Sequence, residues 1–235
     1  MQFGIWKSAK NWKWNRVVNT DFSGKFTLHP FQNKRNDGIW AEEGEVIPLS
    51  LTNAPTDRFQ KRIIFWGAIS SRGLIPSGGP INFTKWLRQQ QPQNKKNMKK
   101  YLASNLYDKF LKEEVEPAIK LPFKNTALIP IVQDDQDNKH RTKVVMNTIE
   151  SLFDEHIDPE IGDAKFADIW PIETVWGAIK EKLRGERFEN ESALEIRVAQ
   201  EWKMFTTATC EQIMEKIPHR LKQLIGQDGE QIHKH

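Results

Sequence analysis

The sequence predicts an α/β protein with a mixed sheet flanked by helices and a helical C-terminal tail. Three observations lead to this prediction: strand patterns fill the first third of the chain, a helix and a further strand follow, and helical spacing dominates from residue 171 onward. The chain has 235 residues, of which 38% are hydrophobic, and this is enough for a sizeable core. We therefore predict one domain over residues 1–185, with a polar insertion near residues 88–100, followed by a helical extension over residues 186–235.

The first predicted strand ends at Asp21. Residues 16–21 form a short apolar pattern, which resumes at residues 26–28 after a break at Ser23 and Gly24. Two such runs separated by a short break containing glycine predict a hairpin. A carboxylate at the end of this strand would lie on a sheet.

Two longer apolar runs predict buried strands. Residues 63–69 form the most continuous run and predict a central strand, with residues 73–76 as its hairpin partner. Residues 127–133 predict another buried strand, and Asp135 follows it. A side chain at the end of such a strand can face a cleft, so Asp135 could lie near the first acid.

Helical spacing marks the remaining elements. Residues 101–119 follow a helical pattern, which Pro117 is expected to end. Another helix starts at Pro171, because proline suits the first helical turn, and Glu173 therefore projects from the start of that helix. A further helix is predicted to begin near Ser192.

The composition places only broad limits on function. A formal charge of +4 and a pI near 9.0 are compatible with a nucleic-acid partner, but they are also common among soluble proteins. The single cysteine, Cys210, excludes an internal disulfide framework and fits a reducing compartment. No apolar stretch approaches the roughly 20 residues needed to span a bilayer, and the first residues lack a signal-peptide core. We expect a soluble, intracellular protein with no membrane partner.

Asp21, Asp135 and Glu173 are the candidate catalytic and metal-binding residues. Carboxylate oxygens suit Mg²⁺ or Mn²⁺, and three carboxylates offset much of the charge of two such ions. Two ions roughly 3.5 to 4 Å apart can activate an attacking oxygen and stabilise the leaving oxygen at phosphorus. A site of this kind would cleave DNA with water as the nucleophile, or join strands with a 3′-hydroxyl.

Each candidate also has a purely structural interpretation. Asp21, taken alone, is most simply a turn or cap residue, and Glu173 could be a favourable acid in a first helical turn. His140 could orient a carboxylate, contact DNA or simply start a helix. The basic run at residues 95–100 could bind phosphates, although a solvated loop is the default interpretation of such a run.

Four ordered blocks of the sequence resemble the catalytic domain of mariner-type transposases, in the Tc/mariner superfamily. They span roughly residues 12 to 185, and four blocks in order are far more specific than any one of them. The blocks are Thr20-Asp21 with Lys25-Phe26, a tryptophan–glycine strand at residues 65–70 with Gly73, residues 133–140, and residues 168–173 with Val175-Trp176.

The third block distinguishes between neighbouring acids. In the family, the catalytic aspartate precedes a histidine by five positions, and His140 follows Asp135 with this spacing. Asp134 and Asp137 compete for the same position but have a different spacing. The fourth block, in which proline-isoleucine-glutamate is followed by tryptophan, identifies Glu173 as the third acid.

The resemblance implies an RNase H-like fold and a DDE-type DNA transposase. Such an enzyme uses Mg²⁺ or Mn²⁺ to cleave and transfer DNA strands, the steps of transposition and DNA integration. The implied catalytic residues and metal ligands are Asp21, Asp135 and Glu173. DNA is the implied partner, a homodimer would act on paired transposon ends, and a nuclear location is expected.

The chain departs from the family pattern in three ways. Phe22 replaces an acid that usually follows the first aspartate, and Trp170 replaces an asparagine before the proline of the last block. Relatives carry helix-turn-helix domains before the catalytic domain, whereas only about 20 residues precede Asp21 here. Two alternatives to an active enzyme are therefore a catalytically silent, transposase-derived DNA-binding protein and a truncated remnant.

Overall fold

The computed structural model describes residues 12–29, 41–42, 44–46, 61–90, 103–135, 137, 140–158 and 169–226. In chain order, the strands of this part are β1 Val17–Phe22, β2 Phe26–Thr27, β3 Arg62–Ile63, β4 Phe65–Ser70, β5 Gly73–Ile75, β6 Ile81–Asn82, β7 Ile131–Gln133 and β8 Glu155–Ile157. The helices are α1 Phe83–Gln89, α2 Ser104–Phe110, α3 Glu116–Lys120, α4 Lys143–Leu152, α5 Pro171–Lys182, α6 Glu191–Lys203, α7 Thr207–Met214 and α8 Ile217–Gly226. A π-helical turn, Leu111–Val115, joins α2 to α3, and 3₁₀ turns cover Trp14–Arg16 and Leu121–Phe123.

The main sheet combines parallel and antiparallel strands. Its order is β5-β4-β1-β7-β8, and β6 also pairs with β4. Strand β1 is antiparallel to β4 and parallel to β7, which is in turn parallel to β8. Because helices cover both faces of this sheet, the predicted fold class, a mixed sheet flanked by helices, is confirmed.

Alternate residues of the central strands pack into two separate cores. Val17 and Ile131 face the core that contains α5 to α8, whereas Val18 and Val132 face the core that contains α1 to α4. The helices beyond residue 185 thus share a core with the sheet, and the boundary predicted at that residue stays a prediction. Among the described helices, none combines the length and the apolar character required to cross a membrane.

Gly67 in β4 permits the close approach of α6 to the sheet. A Cβ atom at this position would lie 2.3 Å from Cη2 of Trp202 and 3.1 Å from the ring of Trp176. Trp202 is 1% exposed, and its indole N–H donates to the carbonyl oxygen of Pro76 at 2.7 Å. Since the indole is held at both its ring and its N–H, only a glycine fits beneath it.

The strand predicted to end at Asp21 is present, but the predicted hairpin is wrong. The antiparallel partner of β1 is β4, with Asp21 opposite Gly67, and β2 pairs with β3. The amide of Ser23 donates to the carbonyl of Phe65, and the amide of Phe65 donates to the Ser23 hydroxyl. These bonds keep the chain beside β4 through the break at Gly24, so the chain does not reverse there.

Pro117 does not end the predicted helix. The π turn ends two residues before it, and Pro117 therefore lies in the first turn of α3, where a missing N–H donor costs little. The strands predicted at residues 63–69 and 73–76 are confirmed, although the first is divided into β3 and β4. The strand predicted over residues 127–133 is shorter, because only its last three residues pair with β1.

Candidate active site

Parallel pairing of β1 with β7 brings two of the predicted acids to the same edge of the sheet. The register pairs Asn19 with Gln133, and Asp21 and Asp135 each follow two residues later. Side chains two residues apart in a strand point to the same face, and the amide side chains of Asn19 and Gln133 are hydrogen-bonded to each other. Both acids therefore lie over the face that packs against α5.

Helix α5 brings Glu173 to the same place. The amide of Ile172 donates to Oδ1 of Asn19 at 2.8 Å, which fixes the first turn of the helix over β1. Glu173 is exposed and Asp21 is half-buried. Their carboxyl groups are close enough to share a hydrogen bond, and Asp135 also acts on Asp21 through its charge. Asp21 thus interacts with both other sequence-predicted residues, but among the described residues the three carboxyl groups do not form a cluster within 4.8 Å, and their catalytic and metal-binding roles stay predictions.

The electrostatics of this acidic site favour a bound cation. Burial, the hydrogen bond and charge of Glu173, and the charge of Asp135 raise the pKa of Asp21 to about 9. The amide of Phe22 donates to Oδ1 of Asp21 at 2.6 Å and offsets only part of this effect. A cation would relieve the repulsion and displace the proton, and an all-carboxylate set of oxygens fits Mg²⁺ or Mn²⁺.

Asp134, the neighbour of Asp135, lies on the opposite face of the sheet. It is 6% exposed and accepts hydrogen bonds from the hydroxyl of Tyr107 and, at 3.1 Å, from the hydroxyl of Thr20. Nδ1 of His140 lies 3.3 Å from Oδ2 of Asp134 and 2.5 Å from Oδ1 of Asp135. Hydrogen-bond donors thus surround Asp134 within the core that contains α1 to α4. Asp135, on the other face, is the acid near Asp21.

Among the described residues, one group of three potential ligands has its ligand atoms within 4.8 Å of one another, and it consists of Asp134, Asp135 and His140. Burial lowers the pKa of His140, but the two carboxylates raise it to about 9. A protonated imidazole donates hydrogen bonds and has no lone pair for a metal. The ring also stacks on Tyr107, with 4.0 Å between the ring centroids. We therefore interpret His140 as a residue that orients Asp135, one of the three alternatives left open by the sequence.

A groove of about 400 Å³ is lined by residues of β2 and α5 and by none of the three acids. Lys180 lies in its wall, seven residues after Glu173 on α5, and its ammonium is 5.6 Å from the centroid of the Phe26 ring. The charge of Lys180 interacts with both Glu173 and Asp21. Other basic residues of the lining are Lys25, His29 and Arg184. The sequence analysis missed Lys180, although a spacing of seven residues places it on the same helical face as Glu173.

Comparisons with known proteins complete the description of the site. Neither a protein-family model nor a curated protein matches the sequence. The Mos1 transposase paired-end complex with left transposon end matches with a TM-score of 0.68 and 15% identity, over 99% of this chain and 60% of that chain. The Mos1 mariner paired-end complex with Mn gives the same values.

The isolated catalytic domain of Mos1 mariner transposase is matched over more of its length. Its crystal structure has a TM-score of 0.63 and 13% identity, over 99% of this chain and 90% of that chain. Our chain thus spans about 60% of the length of the Mos1 chains in the paired-end complexes and most of the catalytic domain. The resemblance seen in the sequence is confirmed in the fold: this chain has the RNase H-like architecture of a mariner-like transposase catalytic domain.

Proposed function

We propose that this chain is a transposase-type enzyme that cleaves DNA strands and transfers them by the DDE mechanism, with Mg²⁺ or Mn²⁺ as cofactor. One observation carries the proposal: Glu173, at the start of α5, shares a hydrogen bond with Asp21 of β1, and the charge of Asp135, which follows β7, acts on the same carboxyl group. Neighbouring carboxylates repel one another and do not stabilise a fold. Their convergence favours a role in cation-dependent chemistry.

The three acids would hold the cofactor through their carboxylate oxygens. When bound, divalent ions activate the attacking oxygen and stabilise the leaving oxygen at phosphorus. Asp21 must give up its proton before it can act as a ligand, because its pKa is raised to about 9 in the metal-free protein. Nδ1 of His140 lies 2.5 Å from Oδ1 of Asp135, so a protonated imidazole would form an ion pair that orients this carboxylate.

The groove beside α5 would provide the contact with the substrate. Lys180, whose charge acts on Glu173 and Asp21, lines it together with Lys25, Glu181 and Glu186, so the two lysines can bind phosphate oxygens of a DNA strand. Water would serve as the nucleophile in strand cleavage, and a 3′-hydroxyl in strand transfer. Action on DNA as a homodimer, in the nucleus, forms part of this proposal.

A plasmid-nicking assay tests the proposal. We expect the chain to convert supercoiled plasmid to nicked circles with Mg²⁺ or Mn²⁺, and Asp135→Asn to abolish this activity. Asp137→Asn is the matched control, because Asp137 is an exposed acid outside the acidic site and only two residues away. DNA binding in a gel shift without nicking under either metal would contradict the proposal and favour the silent DNA-binding alternative. Absence of both binding and nicking would favour the remnant.

A further inference from the structure

We propose that Asn19 and Gln133 form a relay of side-chain amides that positions the three acids for metal binding. Neither residue belongs to the acidic site itself, and both are 1% exposed. The metal-binding role of the acids rests on the proposed function. The relay itself is defined by hydrogen bonds alone.

Asn19 connects β1 to the start of α5. Its Oδ1 accepts the amide hydrogen of Ile172 at 2.8 Å, and its Nδ2 donates to Oε1 of Gln133 at 2.5 Å. The neighbour of Ile172 in the helix is Glu173, and Asp21 follows Asn19 by two residues on the same strand face. One buried amide thus fixes the distance between two of the acids.

Gln133 extends the relay to the third acid. Its Nε2 donates at 2.7 Å to the carbonyl oxygen of Asp134, in the peptide that leads to Asp135. The path therefore runs from the Ile172 amide, through the two side chains, to the backbone directly before Asp135. Each end of the path lies one residue from an acid of the site.

A positioning role explains why amides occupy these places. Once Asp21 loses its proton, mutual repulsion of the acids would push α5 away from the ends of β1 and β7, and the relay would hold the three segments together without adding charge. A side-chain amide can donate and accept at the same time, as both members do here. A carboxylate in either place would instead add a further negative charge beneath the acids.

The alternative is that the relay only satisfies buried backbone groups and contributes to stability. Metal affinity separates the two roles, since residues that orient ligands typically change affinity by about 10- to 100-fold when they are replaced. Asn19→Leu and Gln133→Leu keep the approximate size of the side chains and remove the hydrogen bonds. Asn82→Leu is the matched control, because Asn82 caps α1 and also donates to Glu191 and Glu195 of α6.

Mn²⁺ binding to the DNA-free protein, measured by isothermal titration calorimetry alongside thermal unfolding, is the test. We expect each relay variant to weaken Mn²⁺ binding at least about tenfold. The double variant should be little weaker than either single one, because both changes break the same path. The control variant should lose stability while its Mn²⁺ affinity stays within about twofold of the wild type. If a leucine variant fails to fold, Gln133→Asn replaces it, since the shorter amide cannot reach both partners.

Unchanged Mn²⁺ affinity in folded relay variants would overturn the proposed relay. The same would hold if Asn82→Leu weakened Mn²⁺ binding as much as the relay variants do. A wild type that binds no Mn²⁺ would overturn it as well. The outcome for the proposed function is separate, because nicking is measured in its own assay. A wild type that binds Mn²⁺ but never nicks DNA would end the proposed function, while weaker binding by the relay variants would still support the relay.

Discussion

At the ends of β1 and β7, carboxylates on the two faces of the sheet have opposite surroundings. On one face, Asp134 is enclosed by the hydroxyl groups of Tyr107 and Thr20 and by His140. On the other face, Asp21 meets two further acids. In the first arrangement the donors and His140 offset part of the burial that raises the pKa of Asp134, whereas the second accumulates negative charge that a cation can relieve. A single peptide bond, between residues 134 and 135, thus separates an acid enclosed by donors from an acid that we propose as a metal ligand.

The largest expected effect concerns the face that carries the acidic site. Asp21→Asn keeps the shape of the side chain but removes its negative charge, so metal-dependent nicking should fall by about 10⁴-fold or more. The measurement is plasmid nicking with Mn²⁺, with DNA binding followed separately by gel shift. Nicking within tenfold of the wild-type rate would show that Asp21 is not a metal ligand.

Asp134→Ala tests the opposite face. It removes one of the two carboxylates beside the buried His140 and the acceptor of two hydroxyl groups, and the free energy of unfolding should fall by about 3 to 5 kcal/mol. Asp135→Ala removes an acid whose side chain is 43% exposed, and should cost less than about 1 kcal/mol. Urea denaturation compares the two variants. Equal losses would remove the distinction between the two acids.

Gly67→Ala tests how much helix packing on the face that carries the acids contributes to the stability of the protein. The added methyl group would overlap the buried ring of Trp202, which should destabilise the protein by about 1 to 3 kcal/mol. Gly78→Ala is the control, because a Cβ atom there meets no other atom within 4 Å. Thermal unfolding of both variants gives the comparison, and similar midpoints would mean that Trp202 moves aside without cost.

The smallest expected effect is a pH dependence of stability. Folding raises the pKa of Asp21 from 3.8 to about 9, so the metal-free folded state binds a proton that the unfolded state releases above pH 4. The stabilising effect of that proton is full below pH 4 and is lost as pH rises toward 9. Because partial exposure screens the effect, we expect a loss of about 1 kcal/mol between pH 6 and 8.

Asp21→Asn is the reference for this measurement, since it lacks the titrating group. His140 is present in both proteins, and its pKa, raised from 6.5 to about 9, lowers the stability of both as pH rises through that range. Only the difference between the two curves therefore reports on Asp21. Thermal unfolding without metal at several pH values gives both curves, and parallel curves would contradict the prediction.

Local signals in the sequence predicted the parts of the fold that depend on neighbouring residues. The apolar run at residues 63–69 is long enough to mark a buried strand, and Pro171 marks the first turn of α5. The acids were found through four ordered blocks, and the histidine spacing selected Asp135 over Asp134. Asp134 faces the other core in the structure, and the role of Asp135 stays a prediction.

Features that depend on distant residues could not be predicted in this way. The hairpin at Asp21 was wrong because Ser23 bonds to Phe65, a residue 42 positions away. Strand β8 has only three residues and follows α4 directly, so no periodic pattern marks it. The contact between Asn19 and Gln133 spans 114 positions and exists only once β1 and β7 have paired.

The packing of Trp202 against Gly67 also has a consequence for synthesis on the ribosome. Strand β1 emerges early, yet its parallel partner β7 and the indole that covers its neighbour β4 emerge much later. The nascent chain must therefore keep apolar strand residues unburied until residue 202 has been translated. Native assembly of this region is expected to wait for α6, and chaperones would bind the exposed strands in that interval.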